Sequence, residues 1–185
     1  MEDRIAISRI KQGDLNGLET LVNHYQVQAV HTAYMIVYDR ALAEDVAQAA
    51  FVKAADHIHQ FDEERPFAPW FFRIVVNDAL KLARMRARNI SLDEQLDEPT
   101  AQLAEWLTDP ELKPEQFLEQ KETRESILKA IQSLPPEQRA VVVMRYYLEM
   151  SEADMSAKME RPLSTIKWWL RDARKRLYDL VGDSK

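Results

Sequence analysis

A chain of 185 residues with no cysteine and only three glycines, Gly13, Gly17 and Gly182, excludes disulfides, thiolate metal sites and cysteine nucleophiles. It also argues for an all-α architecture over a glycine-demanding β-rich or doubly wound one. The net charge of −6 speaks against nucleic acid only until it is divided along the chain: residues 65–90 carry +5 and residues 161–185 carry +4, against −6 in 1–64, −8 in 91–126 and −1 in 127–160. Local field, not net charge, governs an encounter with phosphate.

Helical spacing begins near Leu15. Leu15, Leu18, Leu21, Val22, Tyr25, Ala29 and Ala33 recur at intervals of three and four, which predicts a helix over 14–38 with Asp14 as its cap. A second helix is expected over 40–60, with Leu42, Val46, Ala49, Ala50 and Ile58 turned inward. The stretch Phe61–Pro69 cannot be regular helix, because Pro66 and Pro69 interrupt it. A third helix follows from Pro69 to about Arg86, proline being suited to a first turn. From Ala87 to Lys113 the periodicity fades, acidic residues dominate and Pro99 and Pro110 intervene, so this segment reads as a linker with a short helix around Leu103–Leu107. Four helical stretches complete the chain, at about 115–133, 134–148, 151–159 and 164–181. The third opens with Ser151 and Asp154, a capping-box variant. The expected organisation is a helical domain over 1–88, an acidic linker over 89–114 and a second helical domain over 115–185.

The last two stretches make a short helix, a tight turn and a longer helix, the helix-turn-helix arrangement whose second helix enters a major groove. Ile166, Leu170, Ala173, Leu177 and Leu180 form an apolar stripe on the longer helix. Lys167, Trp168, Arg171 and Lys175 fall on the other side, and Ser164 and Thr165 offer hydroxyls and N–H groups at the N-terminus, where phosphate binds readily. An ordinary amphipathic surface helix fits the stripe equally well; an exposed Trp168 on a basic face favours the DNA reading.

Taken together, the residues resemble the extracytoplasmic-function (ECF) group of the sigma-70 family over nearly the whole chain. The C-terminal half has Leu134-Pro135, Arg139, Val142, Met144-Arg145 and Ser151, then Pro162-Leu163-Ser164-Thr165-Ile166-Lys167, similar to the family's fourth region. The N-terminal half has Ala43-Glu44-Asp45-Val46-Ala47-Gln48, Phe51, Phe61, Phe67, Trp70-Phe71, Arg73-Ile74 and Asn77, similar to its second region. The resemblance implies a factor that directs core RNA polymerase to promoters and opens them. Glu44, Asp45, Gln48 and Phe51 match the helix that docks on the β′ clamp. Phe67, Trp70, Arg73, Asn77 and Arg84 match the element that reads and melts the minus-ten region. Ser164, Thr165, Lys167, Trp168, Arg171 and Lys175 lie on the helix that reads the minus-thirty-five element. The polymerase β′ and β subunits, promoter DNA and an anti-sigma protein are the implied partners. Physics agrees at the second site, where an aromatic, a cation and an amide three and four apart can stack on, neutralise and hydrogen-bond an unstacked base. Arg84, Arg86 and Arg88 follow for backbone phosphates.

The chain departs from the family's pattern in four places. Ala49 stands where a glutamate is common, Glu160 where the helix-turn-helix turn usually has glycine, and Trp169 and Asp172 where arginines are usual. A non-glycine residue is costly at positive φ, so a turn of different shape is expected at Glu160. Trp169 is expected to be largely buried, and Asp172 to face DNA, repelling phosphate or accepting from a cytosine amine. Tyr146, four residues after Val142, is expected to pack in the core. No metal, cofactor or catalytic centre is expected: His57 and His59 are two apart and point to different faces, Glu44 and Asp45 adjoin rather than face each other, and there is no glycine-rich phosphate loop. No apolar run reaches the roughly 18 to 20 residues of a membrane span and Met1–Arg4 lacks a secretory leader's basic flank, so no membrane insertion and a bacterial cytoplasmic location are expected. The acidic linker fits a spacer and a path along nascent RNA equally well. Two other functions remain open on sequence, a helix-turn-helix repressor or activator that works without core polymerase, and a sigma-like regulatory binding protein.

Overall fold

The computed structural model describes residues 2–89 and 127–182, and every regular element among them is helical. The expected linker, its short helix and the first part of the 115–133 helix lie outside the described residues. The chain divides into two compact units, Met1–Ala83 and Arg84–Lys185.

The first unit opens with a helix the sequence reading does not contain, α1 (Glu2–Lys11), seated by Ala6, Ile7 and Ile10. α2 (Asn16–Val37) follows. Asp14 is not its N-cap, which is Leu15, but Asp14 Oδ1 accepts the Asn16 N–H at 3.0 Å and turns the chain into the helix. Gly17 sits where a Cβ would meet the Ala6 carbonyl oxygen at 2.2 Å, so α1 and α2 cross this closely only over a glycine. The second half of α2, Ala29 to Val37, is buried all round, which makes it the central helix of the unit. Tyr38 stops it in left-handed conformation at φ 54°, its N–H returned to the Tyr34 carbonyl. The next residue, Asp39, caps α3 (Arg40–Asp56) by accepting the Leu42 N–H at 2.9 Å.

α3 ends earlier than expected. The chain tightens into a short 3-10 turn at Ile58–Gln60, and α4 then runs from Phe67 to Asn89. Ala43, Val46, Ala47, Ala50, Phe51 and Ala54 are the buried face of α3, whereas Ala49, expected inward, is exposed. α4 buries Phe67, Phe71, Phe72, Val75, Val76, Ala79, Leu80 and Ala83, spaced for one helical face. The rings interlock: Phe51 lies 4.5 Å from Phe71, and Tyr25 lies within 5.6–6.0 Å of Phe67, Phe71 and Phe72. Truncating a fully enclosed Phe such as Phe71 to alanine costs about 3–5 kcal/mol.

The second unit builds a smaller core. Helical residues 127–132 bring in Leu128, Ala130 and Ile131. α5 (Pro136–Tyr146), with proline in its first turn, buries Gln138 and Ala140 to Met144. α6 (Glu152–Met159) starts at the expected cap: the Ser151 hydroxyl oxygen accepts the Asp154 N–H at 3.1 Å and donates to the Asp154 carboxylate at 2.6 Å. α7 (Leu163–Gly182) closes the unit on Ile166, Leu170 and Ala173, each no more than 1% exposed, against Met155 of α6. Leu177 is half-buried and Leu180 exposed, so the apolar stripe contributes to the core for two and a half turns rather than the whole helix.

Candidate nucleic-acid interface

Three surfaces concentrate the residues singled out by sequence. On α3, Asp45 and Gln48 are exposed on one stripe together with Ala49 and Val52. Val52 is 58% exposed, an apolar side chain in the middle of this stripe that sequence reasoning missed, although it stands four residues after Gln48. Glu44 lies at the edge of the stripe and is paired with Arg40 at 2.9 Å. Phe51 is on the opposite side, 6% exposed and packed on Phe71. Phe51 fixes α3 to the core, so of the four residues expected at the docking helix it offers the least surface.

On α4, Trp70 and Arg73 are half-buried and Asn77 is exposed, and their three-and-four spacing puts them on one face. The Trp70 ring rests 5.1 Å from Phe61 and 5.6 Å from Phe67, so it is neither a free paddle nor a core residue but a shelf with an open side. Phe67 itself is 3% exposed, which makes it the floor of the shelf, unlike the open surface expected of it. The loop between, Asp62 to Pro66, is largely exposed, with the Glu64 N–H on Asp62 Oδ1 and the Arg65 N–H on the Asp62 carbonyl shaping its curl. Arg84, the first residue of the second unit, is half-buried, and its Nε donates to Glu137 Oε1 at 2.8 Å. Arg88, further along, is exposed.

On α7, Ser164, Lys167, Trp168, Arg171 and Lys175 are exposed and Thr165 half-buried. Lys167, Arg171 and Lys175 follow one another a turn apart, and Trp168, 50% exposed, lies beside them. Trp169 is half-buried on the flank of the apolar stripe, less enclosed than expected. Asp172, expected to point outward, is half-buried and engaged within the unit. Gln138 of α5, 3% exposed, donates its Nε2–H to Asp172 Oδ2 at 2.7 Å, and the Arg176 Nε donates to the same oxygen at 3.1 Å. The Gln138 bond, helped by Arg176 and Lys175 against some desolvation, holds the Asp172 carboxyl below its usual range. The acid ties the reading helix to the helix beneath it.

Two further expectations change. Glu160 takes the left-handed conformation at φ 52° despite its Cβ, with its N–H on the Ser156 carbonyl. The Arg161 N–H also reaches the Ser156 carbonyl at 3.1 Å, and the Ser156 hydroxyl donates to the Arg161 carbonyl at 2.6 Å. These bonds hold the ordinary glycine-type turn without glycine. Tyr146 is 58% exposed rather than packed inside, its hydroxyl accepting from Arg174 Nε at 2.8 Å.

Comparison with known proteins assigns both units. The Sigma-70 region 2 family profile matches residues 21–89, and the Sigma-70, region 4 profile matches residues 124–177. The chain belongs to the sigma-70 family, in its ECF group. It is 29% identical over 179 residues to the ECF RNA polymerase sigma factor SigW of Bacillus subtilis, covering 96% of this chain and 95% of that one. It is 29% identical to the RNA polymerase sigma-H factor of Pseudomonas aeruginosa, covering 90% and 86%, and 26% identical to the ECF RNA polymerase sigma-E factor of Escherichia coli K12, covering 98% and 95%. Its fold is similar to that of CnrH, solved with the cytosolic domain of CnrY, with a TM-score of 0.66 at 22% identity over the whole of both chains. A TM-score of 0.66 at 20% identity also relates it to RpoE from Bartonella quintana, solved with the anti-sigma factor NepR, over 90% of this chain and 98% of that one. This ECF sigma factor therefore acts in transcription initiation, binding RNA polymerase and promoter DNA in a family that performs no catalysis of its own. Among the described residues no helix is long and apolar enough to cross a membrane, and no three His, Cys, Asp or Glu side chains gather as a metal site.

Proposed function

We propose that the sigma factor divides promoter opening between its units at named residues. Residues 1–88 dock on the polymerase β′ clamp through Asp45, Gln48 and the rim of Glu44, and capture a minus-ten base at Trp70, Arg73 and Asn77. Residues 115–185 read the minus-thirty-five element with Ser164, Thr165, Lys167, Trp168, Arg171 and Lys175, and the acidic 89–114 segment joins the two. The observation that carries this reading is the α4 shelf: a tryptophan with one open side, a cation and an exposed amide rise on successive turns beside an exposed loop. A plain helix-turn-helix repressor has no need of such a shelf, nor of a second, acidic docking stripe. The bacterial cytoplasm, where polymerase and chromosome lie, is the place of action. An anti-sigma protein is the expected restraint, in keeping with the fold likeness to RpoE of Bartonella quintana, which was solved with one.

The test is strand opening. Asn77→Ala should leave duplex binding near normal and reduce permanganate-reactive open complex, since loss of one hydrogen bond to an unstacked base is worth about 0.5–1.5 kcal/mol. A template opened in advance over the minus-ten region should restore transcription. If the pre-opened template does not rescue Asn77→Ala, base capture at this shelf is wrong.

A further inference from the structure

We propose that α1 is a strut for the strand-capture loop and that Lys11, at its end, is a positioning residue for promoter melting. The inference rests on the capture role given to the α4 shelf. Lys11 Nζ donates to the Phe61 carbonyl oxygen at 3.0 Å and to Glu63 Oε1 at 2.7 Å, reaching across 50 residues of sequence. The ammonium is well suited to this place, because a carbonyl and a carboxylate converge on it and it carries three donors. Within the loop, the Glu64 and Arg65 N–H groups both return to Asp62. They set how the loop curls but not where it sits. Lys11 sets where it sits.

Phe61 is the link to the shelf. Its carbonyl is gripped by Lys11, and its ring, 5% exposed, lies under Trp70 at 5.1 Å and against Phe67 at 5.6 Å. A displacement of the Phe61 backbone is therefore passed to the ring beneath Trp70, since packed rings leave no slack to absorb it. α1 is itself fastened independently of the loop. Asp3 accepts from the Tyr25 hydroxyl and meets His24 Nδ1 at 3.0 Å, Ala6, Ile7 and Ile10 are buried, and the Ala6 carbonyl is seated against Gly17. A helix with no residue on the shelf thus determines the shelf's geometry.

Lys11→Met, Lys11→Arg, Ile36→Val and Asn77→Ala variants of the full chain, assembled with core polymerase, provide the test. Open complex is read by permanganate on duplex and on pre-opened promoter templates, beside melting temperature. Lys11→Met should lower open complex on duplex about tenfold, the effect of losing a charge-assisted hydrogen bond. Lys11→Arg should keep most of it, and the pre-opened template should restore the Met variant. Ile36→Val trims the core in the C-terminal half of α2, eleven residues beyond the Tyr25 that holds α1, so it should melt promoters normally at whatever melting temperature it has. Normal opening by Lys11→Met while Asn77→Ala fails would overturn the strut and leave base capture standing. A defect in Ile36→Val as deep as that in Lys11→Met would reduce Lys11 to ordinary stability and overturn it as well. Normal opening by both Lys11→Met and Asn77→Ala would remove base capture itself, and the strut with it.

Discussion

Trp168 and Trp169 adjoin in sequence and differ in everything that follows. Trp168 is 50% exposed among Lys167, Arg171 and Lys175; Trp169 is half-buried beside Ile166 and Leu170. Trp169→Ala should therefore lower the melting temperature, by less than the roughly 3–5 kcal/mol of an enclosed aromatic, whereas Trp168→Ala should leave it unchanged and weaken binding to promoter duplex. Acrylamide quenching with and without a minus-thirty-five duplex, in a chain with Trp70 and Trp106 replaced by Phe, checks the same point, because Trp168 and not Trp169 should gain protection. Asp172 makes a different prediction. Its carboxyl is held below the ordinary range, first by Gln138 and then by Arg176, so the charged form is favoured in the fold. Such a group stabilises above its unfolded pKa, about 3.9, and that stabilisation is lost as pH falls through the lower folded value. Asp172→Ala should melt below the parent at pH 5–7 by a constant margin, and the margin should close below about pH 4. A margin that widens toward acid would show that Asp172 is not held as an anion. Neither Gln138 nor the 34-residue separation that brings it to Asp172 leaves a signal in the sequence, which is why a family arginine replaced by an acid reads there as a DNA contact.

At the scale of elements, legibility follows periodicity. α7 and α2 are long, with apolar residues every three or four positions, and the Ser151–Asp154 cap of α6 is a local pattern of two side chains; all three are visible in sequence for that reason. α1 is ten residues with three inward side chains, too short and too polar to stand out, and what fixes it is the missing Cβ of Gly17. Phe51 and Phe67 sit within family motifs whose exposed members are polar, and spacing alone does not say which side of the helix a ring turns to. The turn between α6 and α7 is misjudged for a related reason: Ser156 and Arg161 supply its bonds, so the left-handed residue need not be glycine. The strain is still there. Left-handed backbone costs roughly 1–2 kcal/mol for a residue with a Cβ, so Glu160→Gly should raise the stability of the second unit, by up to about 1 kcal/mol after the added entropy of the unfolded glycine. Thermal unfolding checks it, and an unchanged or lower midpoint would mean that the Glu160 side chain contributes more than its backbone costs.

The whole molecule is an adaptor whose two units and their order are legible from motifs, while the surfaces between motifs, Val52 and Lys11 above all, required the fold. The proposed docking puts the stripe of Asp45, Gln48, Ala49 and Val52 against polymerase. Asp45→Arg combined with Gln48→Ala should abolish association with core enzyme without unfolding the chain, because both side chains are exposed and outside the core. Retained co-elution of a folded double variant would move the docking site elsewhere. The most direct measurement takes the unaltered protein, purified core polymerase and genomic fragments: gel filtration followed by run-off transcription. Co-elution with core and discrete transcripts that core alone does not make is the expected result. Failure to co-elute, together with duplex binding by the protein alone, would contradict the account and leave a helix-turn-helix regulator in its place.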